Sequence, residues 1–128
     1  MEARDVAVFG PHLMIDLKKV AYEVQSDFKL HYDFLYKLPD MIGMTRIEMP
    51  KVFPYEGLVP EDRGITGTVI IAESHITVHS FELKGWTFID VFSCKPFRVD
   101  ECMRYILETF KPGEYVHFVR ERGIGFPR

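Results

Sequence analysis

Residues 64–94 read GITGTVIIAESHITVHSFELKGWTFIDVFSC, and this stretch constrains the fold more than any other in the chain. It is crowded with β-branched and aromatic residues, which suit a pleated, half-buried surface. Gly67–Phe81 and Trp86–Cys94 therefore read as strand, with Glu82-Leu83-Lys84-Gly85 as a four-residue hairpin loop between them. The same stretch carries Glu73-Ser74-His75, with His79 five residues after the serine and Cys94 twenty after it.

The flanking sequence supplies the other elements. Asp5–Phe9 is a short strand candidate broken by Gly10-Pro11, and His12–Lys18 alternates with Leu13, Ile15 and Leu17 on one face. Ser26 reads as an N-cap, with Asp27 in the first turn of a helix. Phe28, Tyr32, Leu35, Leu38 and Ile42 follow at helical spacing, and Pro39 should end or kink that helix near Lys37 or Leu38. Arg46–Phe53 is a further strand, which Pro50 demotes to an edge or bulge. Pro54–Gly64, with two prolines, two glycines and four charges, is a long loop. Val99–Phe110 places Cys102, Tyr105, Ile106 and Phe110 on one stripe of a second helix, ended by Pro112-Gly113. Tyr115–Arg120 closes as a strand before the polar tail ERGIGFPR. The expected fold is α+β, with residues 1–128 forming one domain. It is a two-layer α/β sandwich whose mainly antiparallel sheet has two helices on one face and the other face available.

Bulk properties exclude some classes of function. A chain of 128 residues, 47% hydrophobic and 27% charged, can bury a real core as an ordinary globular domain. A formal charge of −3 leaves no basic excess to neutralise phosphates, so no nucleic-acid partner is expected. The aliphatic run Val69-Ile70-Ile71-Ala72 is too short to span a bilayer. Glu2 and Asp5 stand where a signal peptide would carry basic residues, so the expectation is a cytoplasmic protein with no membrane partner. In that reducing compartment Cys94 and Cys102 should be free thiols.

Taken singly, the reactive residues have ordinary explanations. A serine in a strand is usually a small polar filler, and a cysteine at a strand end is usually a buried apolar residue. His75 and His79 are four apart and share a strand face, but no third ligand is near, so no metal site is expected. Asp90 lies within Phe88-Ile89-Asp90-Val91-Phe92 and would be costly if buried unpaired; it should face a partner or solvent.

Taken together, the same residues form a pattern. Gly64-Ile65-Thr66-Gly67, Glu73-Ser74-His75, His79-Ser80-Phe81 and Asp90-Val91-Phe92-Ser93-Cys94 follow one another in that order. This block resembles the core of the small prokaryotic S-adenosylmethionine decarboxylases. Gly10-Pro11-His12-Leu13-Met14-Ile15-Asp16 is similar to that family's opening strand, and Arg122-Gly123 to its basic-glycine end. The resemblance covers nearly the whole chain and is specific across residues 64–94.

The resemblance implies a self-processing enzyme with a pyruvoyl cofactor made from Ser74. In that chemistry the Ser74 Oγ attacks the Glu73 carbonyl, the Thr66 hydroxyl serves the oxyanion, and His79 removes the Ser74 Cα proton. The products would be a 73-residue chain ending in Glu73 and a 55-residue chain blocked by pyruvoyl. The pyruvoyl ketone would then form a Schiff base with the substrate amine, and Cys94 would return a proton after CO₂ leaves. The implied product is the aminopropyl donor for spermidine.

Two further implications concern assembly and substrate. On one regular strand Ser74 and His79 fall on opposite faces, and a turn at Glu73-Ser74 would still leave His79 roughly 13 Å away. The family's answer is a homodimer with active sites shared between protomers: Ser74 and Cys94 from one, Thr66 and His79 from the other. The family's ribose-binding carboxylate position is Leu83 here, with Glu82 one residue early. Its adenine-stacking position is Pro60, with Tyr55 and Phe53 the nearest aromatics. Glu82, Tyr55 and Phe53 are therefore the candidate substrate-binding residues. Two alternatives stay open: a pyruvoyl-dependent decarboxylase of arginine or ornithine, and an unprocessed non-catalytic homologue.

Overall fold

The alternating strands of the sequence assemble into one six-stranded sheet in the order β2-β3-β4-β5-β1-β6, with every pairing antiparallel. The computed structural model describes residues 7–128. In chain order the strands are β1 (Gly10–Lys18), β2 (Lys51–Tyr55), β3 (Gly64–Ile71), β4 (Ser74–Phe81), β5 (Trp86–Phe92) and β6 (Glu114–Arg122). The helices are a single turn, α1 (Tyr22–Gln25), and two longer ones, α2 (Phe28–Met41) and α3 (Val99–Phe110). This is the expected α+β sandwich, with three helices in place of two.

The core lies between the sheet and the helices. Alternation sends Leu13, Ile15, Leu17, Val69, Ile71, Ile76, Val78, Ile89 and Val91 to the covered face. They meet Phe34, Leu35 and Leu38 of α2 and Cys102, Ile106 and Phe110 of α3. At Gly67 α2 packs close to the sheet: a Cβ there would fall 2.7 Å from the Leu35 Cδ1. The opposite face carries His12, Met14, Phe53, Thr66, His79, Phe88 and Asp90, with no helix over it among the described residues.

Several local expectations change. Ser26 ends α1, its hydroxyl donating back to Tyr22 O at 2.9 Å, and Asp27 is the N-cap of α2, accepting from the Leu30 N–H at 3.0 Å. The buried stripe of α2 begins at His31 and includes Phe34, whereas Phe28 is exposed. Pro39 does not end α2, which runs on to Met41; at the last turn the missing N–H removes a single bond. Arg46 makes only an isolated bridge to Ile71, and β2 starts after Pro50. Pro54 is tolerated inside β2 because that strand is an edge. The expected loop at Pro54–Gly64 thus begins within β2 and contains a 3-10 turn at Pro60–Asp62.

The long strand Gly67–Phe81 is broken into β3 and β4 by a two-residue turn, Ala72-Glu73, whose peptide is cis. The tail is less polar than expected, since Phe126 packs edge-on against Phe9 at 5.0 Å. Of the strand expected at Asp5–Phe9, Asp5 and Val6 lie outside the described residues; Ala7–Phe9 are irregular, with the Phe9 N–H donating to Arg122 O at 2.8 Å.

Candidate functional site

Strand β4 carries chemistry at both of its ends. At the first end the Ala72-Glu73 turn delivers Ser74 as the opening residue of the strand, paired with Ile71 of β3. Glu73 is exposed, whereas Ser74 faces the covered side and is only 8% exposed. Its Oγ is a buried polar atom with no hydrogen-bond partner among the described residues, a condition native proteins rarely tolerate without a reason. Cys94 follows the end of β5 and lies beside the same turn, its Sγ 3.4 Å from the Ala72 carbonyl oxygen. Glu73, Ser74 and Cys94 therefore come together. Cys94 is half-buried, and both cysteines are free; burial pushes the Cys102 thiol up to about 12.

At the other end Thr66 of β3 and His79 of β4 are cross-strand partners, with Oγ1 and Nδ1 3.2 Å apart. Both open onto a cavity of about 280 Å³ whose walls include Phe53, Tyr55, Phe81 and Asp62. Phe53 reaches it because it pairs with Thr66 across β2 and β3. Glu82 does not line the cavity; it is paired with Arg63 at 2.9 Å and largely covered. Leu83 is exposed in the hairpin loop, and Pro60 opens the 3-10 turn. Asp62 is held by Lys84 at 2.5 Å. Sequence reading missed Asp62, because within Glu61-Asp62-Arg63 it looks like any solvated loop charge.

Beneath this second end runs a buried polar chain that the sequence pattern did not single out. His31 donates from Nδ1 to Asp27 O at 2.7 Å, so its Nε2 accepts from the Ser80 hydroxyl at 2.7 Å. The Ser80 hydroxyl oxygen lies 3.0 Å from that of Thr87, which donates to Gln25. Burial holds the His31 imidazole below its ordinary pKa.

Ser74 and His79 remain apart. They are five positions apart along the strand, about 17 Å at the rise of an antiparallel strand, and they lie on opposite faces. His75 and His79 do share the open face, and no group of three metal-ligating side chains occurs among the described residues. Asp90 pairs on that face with His12 at 3.1 Å. Desolvation first, and then the neighbouring His12 and Arg122, lower the pKa of His75 against the pull of Asp90.

The chain is 29% identical over 117 residues to an S-adenosylmethionine decarboxylase proenzyme of Archaeoglobus fulgidus, covering 91% of this chain and 99% of that one. A protein of the same name from Thermodesulfovibrio yellowstonii is 30% identical over 105 residues, or 80% of this chain and 72% of the other. The crystal structure of the adenosylmethionine decarboxylase from Aquifex aeolicus superposes with a TM-score of 0.78 at 26% identity, covering 91% of this chain and 92% of that one. A model of the family described as S-adenosylmethionine decarboxylase matches residues 11–123, and the chain belongs to that family.

Proposed function

We propose that this chain is a proenzyme that cuts itself between Glu73 and Ser74 and then decarboxylates S-adenosylmethionine, yielding the aminopropyl donor used for spermidine. The observation that carries the reading is the partnerless, buried Ser74 Oγ at the tip of a turn, next to the half-buried thiol of Cys94. A hydroxyl without a hydrogen-bond partner is free to attack the neighbouring Glu73 carbonyl.

In processing, the Ser74 Oγ adds to the Glu73 carbonyl carbon and the amide becomes an ester. Thr66 donates a hydrogen bond to the developing oxyanion, and His79 takes the Ser74 Cα proton. Elimination leaves Glu73 with a free carboxylate and residue 74 as dehydroalanine, which water converts to a pyruvoyl group with loss of ammonia. The pyruvoyl carbonyl supplies an electron sink as CO₂ departs. Cys94 returns a proton to the substrate carbon, for which the half-buried Sγ at the same turn is suitably placed. Phe53 and Tyr55 offer aromatic walls on which an adenine ring can stack.

The reading requires two protomers. Ser74 with Cys94, and Thr66 with His79, lie too far apart in one chain to act together, so each active site of the homodimer takes one pair from each protomer. The uncovered sheet face supports this, since Phe53, Ile70, Phe88 and Phe118 are exposed there at 37–59%. Intact mass under denaturing conditions tests the cleavage: the expected result is two chains parted after Glu73, the second blocked and reactive toward hydroxylamine. A stable single chain of 15.0 kDa overturns it. Co-expressing Ser74→Ala with His79→Ala chains tests the sharing, because only the His79→Ala chain should then be cut.

A further inference from the structure

After β6, the segment 123–128 turns back over Ala7–Phe9. The Gly125 N–H donates to Ala7 O at 2.7 Å, and the guanidinium of Arg128 lies 5.5 Å from the Phe9 ring and 5.6 Å from the Phe126 ring. From that position Arg128 donates to the carbonyls of Val8 at 3.3 Å, Cys94 at 2.7 Å, and Phe9.

The contact with Cys94 matters because β5 ends at Phe92, so the sheet ladder does not hold the cysteine. The preceding residue is well fixed. The Ser93 N–H donates to Pro11 O at 3.0 Å, and its hydroxyl donates to Lys95 O at 2.6 Å while accepting from the Lys95 N–H at 3.2 Å. Gly10 lies flat against the same peptide, where a Cβ would come within 2.0 Å of Ser93 O. At Cys94 itself the donor to the carbonyl is Arg128. A charged guanidinium makes a stronger hydrogen bond than a neutral donor, and its planar fork loses little freedom in bridging several carbonyls.

We propose that Arg128 is a positioning residue for Cys94: by tying the Cys94 carbonyl to the Val8–Phe9 backbone it sets where the thiol sits beside the Ala72-Glu73-Ser74 turn. The inference rests on the reading of Cys94 as the proton donor. A group that delivers a proton works within hydrogen-bond reach, and small displacements are costly.

The test compares wild type, Arg128→Ala and Arg128→Lys as full chains. In Arg128→Ala, kcat for CO₂ release from S-adenosylmethionine should fall about tenfold with KM unchanged, well within the ~10²-fold that a misplacement of ~1 Å can cost. Alkylation by iodoacetamide should speed up at Cys94 by about threefold as the thiol loosens. Cys102, 1% exposed and with its thiol pushed up to about 12, stays silent, so labelling reads Cys94. Arg128→Lys, which keeps the charge without the fork, should fall between the two. Wild-type values of both kcat and alkylation rate in Arg128→Ala overturn the proposal, as does a fall in kcat with Cys94 labelling unchanged. If wild type releases no CO₂, the decarboxylase reading fails and the alkylation comparison alone decides the role of Arg128.

Discussion

The two ends of β4 are built on opposite principles. The Ser74 end is a tight turn with a buried hydroxyl that nothing satisfies and a thiol beside it. The His79 end is an exposed imidazole paired with Thr66 at the mouth of an aromatic cavity, resting on the His31–Ser80–Thr87–Gln25 chain. On the proposed reading the first holds a nucleophile without a base, and the second a base and hydroxyl without a nucleophile. The contrast teaches that strand geometry sets the two on opposite faces at about 17 Å, which on the proposed reading makes one protomer an incomplete site.

The largest effect should come from removing the unsatisfied group. Ser74→Ala should abolish cleavage, leaving one 15.0 kDa chain by intact mass; any cut after Glu73 in this variant breaks the assignment. Changes at the other end should slow cleavage without abolishing it. His79→Ala should cost about 10²–10⁴-fold in the rate of chain appearance, as loss of a general base does. Thr66→Val should cost about 10²-fold, the loss expected from one oxyanion donor. Normal cleavage rates in both would mean that the two ends do not cooperate.

Cys94→Ala sharpens the comparison from the other side: cleavage should proceed, while turnover of S-adenosylmethionine falls about 10²-fold. Smaller effects separate the two carboxylates near the cavity. Asp62→Asn should raise KM about tenfold, the value of one charge-assisted hydrogen bond. Glu82→Gln should change it less, because Glu82 is tied to Arg63 outside the cavity wall. A larger effect at Glu82 would favour the substrate-binding role expected for it from the sequence.

The smallest effect concerns the buried chain beneath His79. Burial lowers the His31 pKa in the folded state, so the unfolded chain, titrating near 6.5, binds the proton more readily. The stabilising contribution is therefore complete above about pH 6.5 and is lost as pH falls below it toward the folded pKa. Thermal midpoints of wild type should drop on going from pH 7.5 to 5 by more than those of His31→Gln; equal slopes would remove His31 as the cause.

Much of the fold was legible because it rests on local periodicity. Leu13, Ile15 and Leu17 alternate on β1, and the residues of α3 begin and end where the stripe from Cys102 to Phe110 and Pro112-Gly113 place them. What was misread depended on competition between neighbours. Ser26 and Asp27 both offer a capping oxygen, and only the path of α1 decides between them. The Ala72-Glu73 turn carries no Gly, Pro or Asn signal, so the break between β3 and β4 was invisible in composition.

By itself the sequence determined the strand and helix periodicities, the Glu73-Ser74 pair and the spacing to His79 and Cys94, since each is a property of residue type and separation along the chain. The tertiary structure alone decided that Thr66 faces His79, that Cys94 meets the Ala72 carbonyl, that Asp62 rather than Glu82 lines the cavity, and that Arg128 reaches across to Cys94. Those are distances between segments far apart in the chain, set by strand order and packing, and no local pattern encodes them.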